Sequence, residues 1–282
     1  MVVIVTGANG QLGQSLQYVA PIYPQIEFVF CDSTHLDITN IASIEAVFEQ
    51  KKPAFCINAA AYTAVDKAET EIEKATNINV FGVQNLAKTC LKHHCVLLHI
   101  STDFVFDGDA NIPYSENDFT NPKSSYGQTK LMGEKAIQNL LPQHYIVRTS
   151  WVYSQFGHNF MKTMLRLGTE KSSLSIVDDQ IGTPTNAVDL ANVLICMVLK
   201  PSAPFGIYHF SNEGQCSWYD FAKKIMENDK IEIVLNPIKS ESYPTPAVRP
   251  KYSVLNKNKI KNTFGIEILD WETSLKTIKK HN

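Results

Sequence analysis

The first half of the chain alternates short apolar runs with longer stretches in which apolar positions recur at helical spacing. The pattern predicts strands over 2–5, 28–31, 55–59, 96–100 and 145–149, and helices over 11–19, 41–50, 69–93 and 125–141. The helix over 41–50 stops before Pro53, and the one over 69–93 carries its apolar positions at Ile78, Phe81, Leu86 and Leu91. Continuous apolar strands separated by helices imply a parallel sheet covered on both faces, an α/β arrangement. After Thr149 the pattern loosens. Helices are predicted over 159–167, 187–199 and 218–226 and strands over 174–177 and 208–211. Prolines at 237, 244, 246 and 250 mark a loop-rich stretch, and the basic segment 256–280 reads as partly helical. We find no internal repeat and no low-complexity tract.

The chain has 282 residues, which at roughly 150 residues per domain means about two domains. Residues 1–150 form the first, completed by parts of about 174–235, and residues 151–282 form mostly a second, smaller lobe. The hydrophobic share of 44% fills a core and excludes disorder as the main state. Twenty-six basic residues against 28 acidic give a net charge of -2 without any basic block, so no nucleic-acid partner is expected. No run of about 18 apolar residues suggests a membrane span. Val2–Val5 meets Thr6-Gly7 at once, unlike a signal peptide, so a cytoplasmic protein is expected. Six cysteines without paired spacing read as reduced core thiols. Cys90 and Cys95 flank His93 and His94, but no second pair completes a metal site.

Candidate chemistry gathers at strand ends. Thr6-Gly7-Ala8-Asn9-Gly10-Gln11-Leu12-Gly13 lies between the first strand and first helix. Glycines at this spacing let backbone approach a pyrophosphate, which the helix N-terminus then binds through free N–H groups and its dipole. Asp32 ends the second strand, 19 residues after Gly13, where a carboxylate accepts from ribose hydroxyls and repels a 2′-phosphate; a capping role competes. Asp37-Ile38 follows, with Asp37 placed to touch adenine or to serve a turn. Ser101-Thr102-Asp103 follows the fourth strand. Tyr126 and Lys130 are at i and i+4 on one helical face, so a nearby ammonium is expected to lower the tyrosine pKa and ready it to donate a proton to a carbonyl oxygen. A lone pair at this spacing usually marks a solvated helix face; the glycine turn and the Ser-Thr strand end reverse that reading.

These residues resemble the extended short-chain dehydrogenase/reductase family, with its Rossmann-type doubly wound sheet. The run from Asn58 to Glu69, Ser101 to Gly108, Arg148 to Tyr153, Asp179 to Thr185 and Tyr243 to Pro250 narrows the resemblance. Together they resemble its reductases of dTDP-linked 4-keto sugars over nearly the whole chain. The resemblance implies transfer of hydride from NADH or NADPH, NADH slightly favoured, to the 4-keto group of dTDP-4-dehydro-β-L-rhamnose. It implies Tyr126 as proton donor, Lys130 as its activator and ribose anchor, and Thr102 on the reacting oxygen. Gly7, Asn9, Gly10, Gln11, Leu12, Gly13, Asp32, Asp37, Ile38, Ala59, Ala60, Ala61, Thr63 and Ser101 would line the cofactor. Thr63, Thr102, Asp103, Trp151, Asn159 and Arg249 would face the sugar nucleotide.

Ordinary roles compete with several of these: core for Trp151, a helix cap for Asn159, a surface ion pair for Arg249, a turn for Thr63. His99 attracts no role beyond a satisfied core or edge histidine. Some relatives bind magnesium at a dimer interface through carboxylates where Ser15 and Val188 stand here. No metal and a monomer or weak homodimer are therefore expected. Rival readings are an epimerase or dehydratase on the same scaffold, a non-catalytic regulatory subunit of the methionine adenosyltransferase type, and a nucleotide-sensing regulator. Phe104 stands where dehydratases usually place a second acid, and intact Thr102, Tyr126 and Lys130 argue against the regulators.

Overall fold

The structure, a computed structural model, describes residues 1–278. The tail of the basic segment predicted over 256–280 lies outside the described residues from 279 on. The first half runs β1 (Val2–Thr6), α1 (Gln11–Val19), β2 (Glu27–Cys31), α2 (Ile41–Lys51), β3 (Phe55–Asn58), α3 (Ile72–Thr76), α4 (Val83–Lys92), β4 (Val96–Thr102), α5 (Ser125–Leu140) and β5 (His144–Thr149). The second half adds β6 (Val152–Tyr153), α6 (Phe160–Glu170), β7 (Ser173–Val177), β8 (Ile181–Gly182), β9 (Thr185–Asn186), α7 (Ala187–Leu199) and β10 (Gly206–His209). It closes with β11 (Cys216–Ser217), α8 (Trp218–Asp229), β12 (Val234–Ile238), α9 (Asn258–Phe264) and α10 (Trp271–Lys276).

Six parallel strands form the central sheet in the order β10-β5-β4-β3-β1-β2. Alternation along each strand divides the core in two. Val3, Val5, Ile57, Leu98 and Val147 pack under α1 and α7, while Ile4, Cys56, Leu97 and Ile146 pack under α2, α4 and α5. The chain leaves β1 in one direction to β2 and the order then resumes on its other side at β3. Such a reversal opens a crevice at the carboxyl ends of the two strands, where doubly wound sheets bind ligands.

A smaller lobe has its own core of Tyr153, Met161, Met164, Leu174, Ile176, Phe221, Ile225 and Trp271, from α6, α8, α10 and the β7–β12 pair. Side chains cap the helices that surround the sheet: Asn40 for α2, Ser124 for α5, Asn159 for α6, Asn186 for α7 and a Ser217–Asp220 box for α8. By contrast α1 starts at Gly10 with no side-chain cap.

Three expectations need correction. The helix predicted over 69–93 is broken into α3, a π-helical turn over Asn77–Gly82, and α4. The turn holds one extra residue, so a 3.6-residue period carried through it loses phase. Phe81 and Leu91 consequently face outward, 53% and 50% exposed, while Ala75, Asn79, Val83 and Ala87 face inward. Within the proline-rich stretch, β12 runs through Pro237 and pairs with β7; a two-stranded edge tolerates proline because no second neighbour needs its missing N–H. The strand predicted over 208–211 is β10, two residues earlier, because pairing of Gly206 to His209 with Tyr145 to Arg148 sets its register.

Candidate active site

The crevice between β1 and β3 is a cleft of about 320 Å³. Gly7, Asn9, Gly10, Asp32, Asp37, Ile38, Ala59, Ala60 and Ala61 line it, all singled out from sequence, together with Ser33, Leu36, Thr39 and Ile78, which were not. Gly7 has φ +68°, and a Cβ there would sit 2.6 Å from the Ala60 nitrogen. Only glycine lets the turn lie this close to the loop after β3. At Gly13 a Cβ would sit 2.3 Å from the Gly7 carbonyl oxygen, so glycine lets α1 pack on the turn. Leu12 is buried in the core beneath and lies outside the residues that line the cleft. An uncapped helix N-terminus at the mouth of a backbone-lined cleft fits a dinucleotide pyrophosphate.

Asp32 is an Asx-type turn acceptor as well as a cleft residue. Its Oδ1 accepts from the backbone and side chain of Thr34 and from His35, and its Oδ2 accepts from Asn9 Nδ2 at 3.0 Å. Bonds from Thr34 and then His35 hold the carboxyl well below the ordinary range. Asp37 makes the same kind of turn with Thr39 and also lines the cleft. Thr63 is exposed and lies outside the residues that line the cleft.

The second part of the site stands at the end of β4. The α5 helix starts at its Ser124 cap and brings Tyr126 to the loop after β4, where its ring meets Phe104 edge-on at 5.6 Å. Thr102 donates to Asp103 Oδ1 at 3.0 Å and is hydrogen-bonded to Tyr126. Burial pushes the Tyr126 hydroxyl up to about 12, with the Asp103 charge acting the same way, and outweighs the bond to Thr102. This corrects the expectation that Lys130 lowers the tyrosine. The Lys130 Nζ instead donates to the Ile100 carbonyl at 2.7 Å and lies 3.2 Å from His99 Nε2. Burial pushes Lys130 down to about 8, against a smaller opposing effect of Glu134. Burial likewise raises Asp103 to about 6, partly offset by Ser253 and Thr102. Ser101 is buried beside them on β4, its hydroxyl without a hydrogen-bond partner among the described residues.

Three residues expected at the sugar nucleotide have local roles here. Arg249 forks onto Asp66, at 3.0 and 2.8 Å, which ties the 243–250 segment to the loop after β3. Asn159 caps α6 through Oδ1, and its Nδ2 donates to Gln11 Oε1 at 2.6 Å. Gln11 in turn donates to the Val152 carbonyl, so the glycine turn and the smaller lobe are joined side chain to backbone. Trp151 stacks on Trp218 at 3.6 Å and sits over Gly182, with φ +47°. A tryptophan in the left-handed region stores backbone strain, a feature concentrated at functional sites. Ser15 donates to the Gln11 carbonyl and Val188 packs on the core, so neither offers a magnesium ligand.

Sequence reasoning missed Asp66, Trp218 and Asn58. Asn58 had a signal, a polar residue closing an apolar strand; it pairs with Thr6 on one side and with His99, inside β4, on the other.

A glycine turn under an uncapped helix, and a partly buried tyrosine one helical turn from a lysine beside a strand-end threonine, define a short-chain dehydrogenase/reductase site. Comparison with known proteins narrows this. The family described as RmlD substrate binding domain matches residues 1–282, and the chain belongs to it. The dTDP-4-dehydrorhamnose reductase of Aggregatibacter actinomycetemcomitans is 42% identical over 99% of this chain and 98% of its own. A dTDP-4-dehydrorhamnose reductase from Clostridium acetobutylicum has a similar solved structure, with a TM-score of 0.94 at 43% identity, covering 98% of this chain and 97% of that one. Another, from Bacillus anthracis and in complex with NADP, has a TM-score of 0.93 at 40% identity, covering 97% and 96%.

Proposed function

We propose that this chain reduces the 4-keto group of dTDP-4-dehydro-β-L-rhamnose to dTDP-β-L-rhamnose. The observation that carries the reading is Tyr126, whose hydroxyl is held by Thr102 at the end of β4, one helical turn from Lys130, and is pushed by burial towards its protonated form. A reduction needs a proton donor, and this group is loaded to be one. A bound nicotinamide would supply the hydride. Tyr126 gives its proton to the keto oxygen as that oxygen gains charge. Thr102 orients the hydroxyl and the carbonyl. Lys130, when it is an ammonium, stabilises the phenolate that Tyr126 becomes.

The cleft residues Gly7, Asn9, Gly10 and Ala59 to Ala61 hold the dinucleotide, with the α1 N-terminus on its pyrophosphate. Ionised Asp32 favours NADH slightly, since it repels a 2′-phosphate. Trp151, only partly buried, packs on the hexose. Arg249 exchanges Asp66 for the diphosphate, where a guanidinium fits two oxygens at once. Residues 1–150 with parts of 174–235 serve the cofactor, and most of 151–282 serves the sugar nucleotide.

The protein works in the cytoplasm as a monomer or weak homodimer without structural magnesium. Two observations support this. Among the described residues no helix is long and apolar enough to cross a membrane. Ser15 and Val188 supply no carboxylate. Stoichiometric Mg²⁺ in protein purified without chelator would overturn the last point. For the main reading, the keto sugar is mixed with NADH or NADPH and the loss of reduced-nicotinamide absorbance is followed. Turnover is expected, and consumption of neither cofactor sinks the reductase assignment.

A further inference from the structure

A polar rung crosses the core of the sheet on the face that α5 covers. Thr6, Asn58 and His99 stand opposite one another on β1, β3 and β4, and all three are buried. The Thr6 hydroxyl donates to Asn58 Oδ1 at 2.6 Å, and the Ala60 N–H donates to the same oxygen at 3.2 Å. A backbone N–H can only donate, so the amide of Asn58 is fixed with its oxygen on that side. Its Nδ2 then donates to His99 Nδ1 at 2.9 Å, and that ring nitrogen must offer a lone pair. A neutral His99 therefore carries its proton on Nε2. That nitrogen lies 3.2 Å from Lys130 Nζ. Against an ammonium, this N–H is a donor facing a donor. Against a neutral amine it is a hydrogen bond, and the amine can still donate to the Ile100 carbonyl.

We propose that His99, locked by Asn58 as the Nε2–H form, is a positioning residue that opposes the ammonium of Lys130 and so sets the pH above which Lys130 stops assisting Tyr126. Burial pushes both groups the same way, towards their neutral forms. Four carboxylates around α5 have partners of their own. Glu134, on the same helix, favours the ammonium but forks onto Arg148 of β5. Glu69 accepts from Ser125 at the helix start, Glu71 accepts from Tyr62, and Asp103 accepts from Thr102. Among the described residues, His99 is thus the one ring facing the Lys130 nitrogen with a fixed proton.

The test joins nitrogen NMR of histidine-labelled protein with the pH profile of kcat. His99 is expected to show a bare Nδ1 and a protonated Nε2 across the neutral range, and the basic limb of kcat to lie at or below about 8. In His99→Gln the amide can turn its oxygen to Lys130, and the basic limb is expected to move up by about one pH unit or more. Asn58→Asp reverses the lock: the carboxylate accepts from a protonated Nδ1, Nε2 becomes an acceptor, and the His99 signals exchange with the same upward shift. A proton on Nδ1 in the parent, or an unmoved limb in His99→Gln, overturns the proposal. The inference rests on the reductase reading. The His99 signals and the titration of Lys130 by side-chain NMR need no turnover, so an inactive but correctly protonated protein would sink that reading alone.

Discussion

The cleft at the β1–β3 reversal and the pocket around Tyr126 share the carboxyl edge of one sheet but hold their polar groups differently. In the cleft, recognition is backbone and shape: a left-handed Gly7, an uncapped α1, and aspartates that close local turns at the surface. Around Tyr126 the groups are side chains taken out of water, and burial moves Tyr126, Lys130 and Asp103 away from their ordinary titration. Binding a long anionic cofactor needs many modest donors that cost little to expose. Moving a proton needs a few groups whose charge states are set before substrate arrives, and desolvation sets them.

Four changes probe this contrast. Tyr126→Phe removes the buried acid and nothing else from the fold. We expect kcat to fall roughly 10²–10⁴-fold with an unaltered melting curve; turnover equal to the parent would remove Tyr126 as the acid. Gly13→Ala strikes the other region, where shape decides. Its Cβ would meet the Gly7 carbonyl at 2.3 Å, so α1 must retreat from the turn. About 1–3 kcal/mol of stability should be lost, with the cofactor KM raised about tenfold and kcat little changed. A fall in kcat alone would mean that the turn serves chemistry rather than binding.

Asp103→Asn tests burial through stability. The folded protein holds the Asp103 proton up to about pH 6, whereas an unfolded chain releases it near 3.8. The parent therefore binds more protons folded than unfolded in this window, and its stability falls as pH rises through it, by up to about 3 kcal/mol. The asparagine variant should lack that decline, as denaturant midpoints on either side of the window would reveal; parallel curves would place Asp103 in water. The smallest effect is expected from Asp66→Asn. The Arg249 pair is partly exposed, so its loss should cost only about 0–1 kcal/mol. The freed guanidinium should instead lower the KM for the sugar nucleotide a few-fold, while an increased KM would make Asp66 a template that holds Arg249 ready.

Much of this was legible in the chain because local physics left a mark. The alternation of Val2–Val5 with the glycine turn and α1 could be read from period and punctuation, and nine of the residues named for the cofactor line the cleft. Tyr126 and Lys130 were legible as a spacing. What Lys130 touches was not. Its nitrogen meets His99 and Ile100 across a strand and a helix, and the tyrosine is raised rather than lowered because burial, helped by the Asp103 charge, outweighs the bond to Thr102. Asn159 and Arg249 show the same limit: their types announced hydrogen bonding, but their partners Gln11 and Asp66 lie 148 and 183 residues away.

The sequence by itself determined the layered α/β order, the glycine turn and the kinds of side chain at each strand end. These depend on residue period, backbone freedom and functional group, all of which are local. Tertiary structure alone decided the strand order that opens the cleft, the phase of the helix interrupted at Asn77–Gly82, and the partners of His99, Arg249 and Trp151. It also decided the titration of Tyr126, Lys130 and Asp103. A pKa depends on how much water is excluded and which charges lie within a few ångströms, and those distances exist only once the chain has folded.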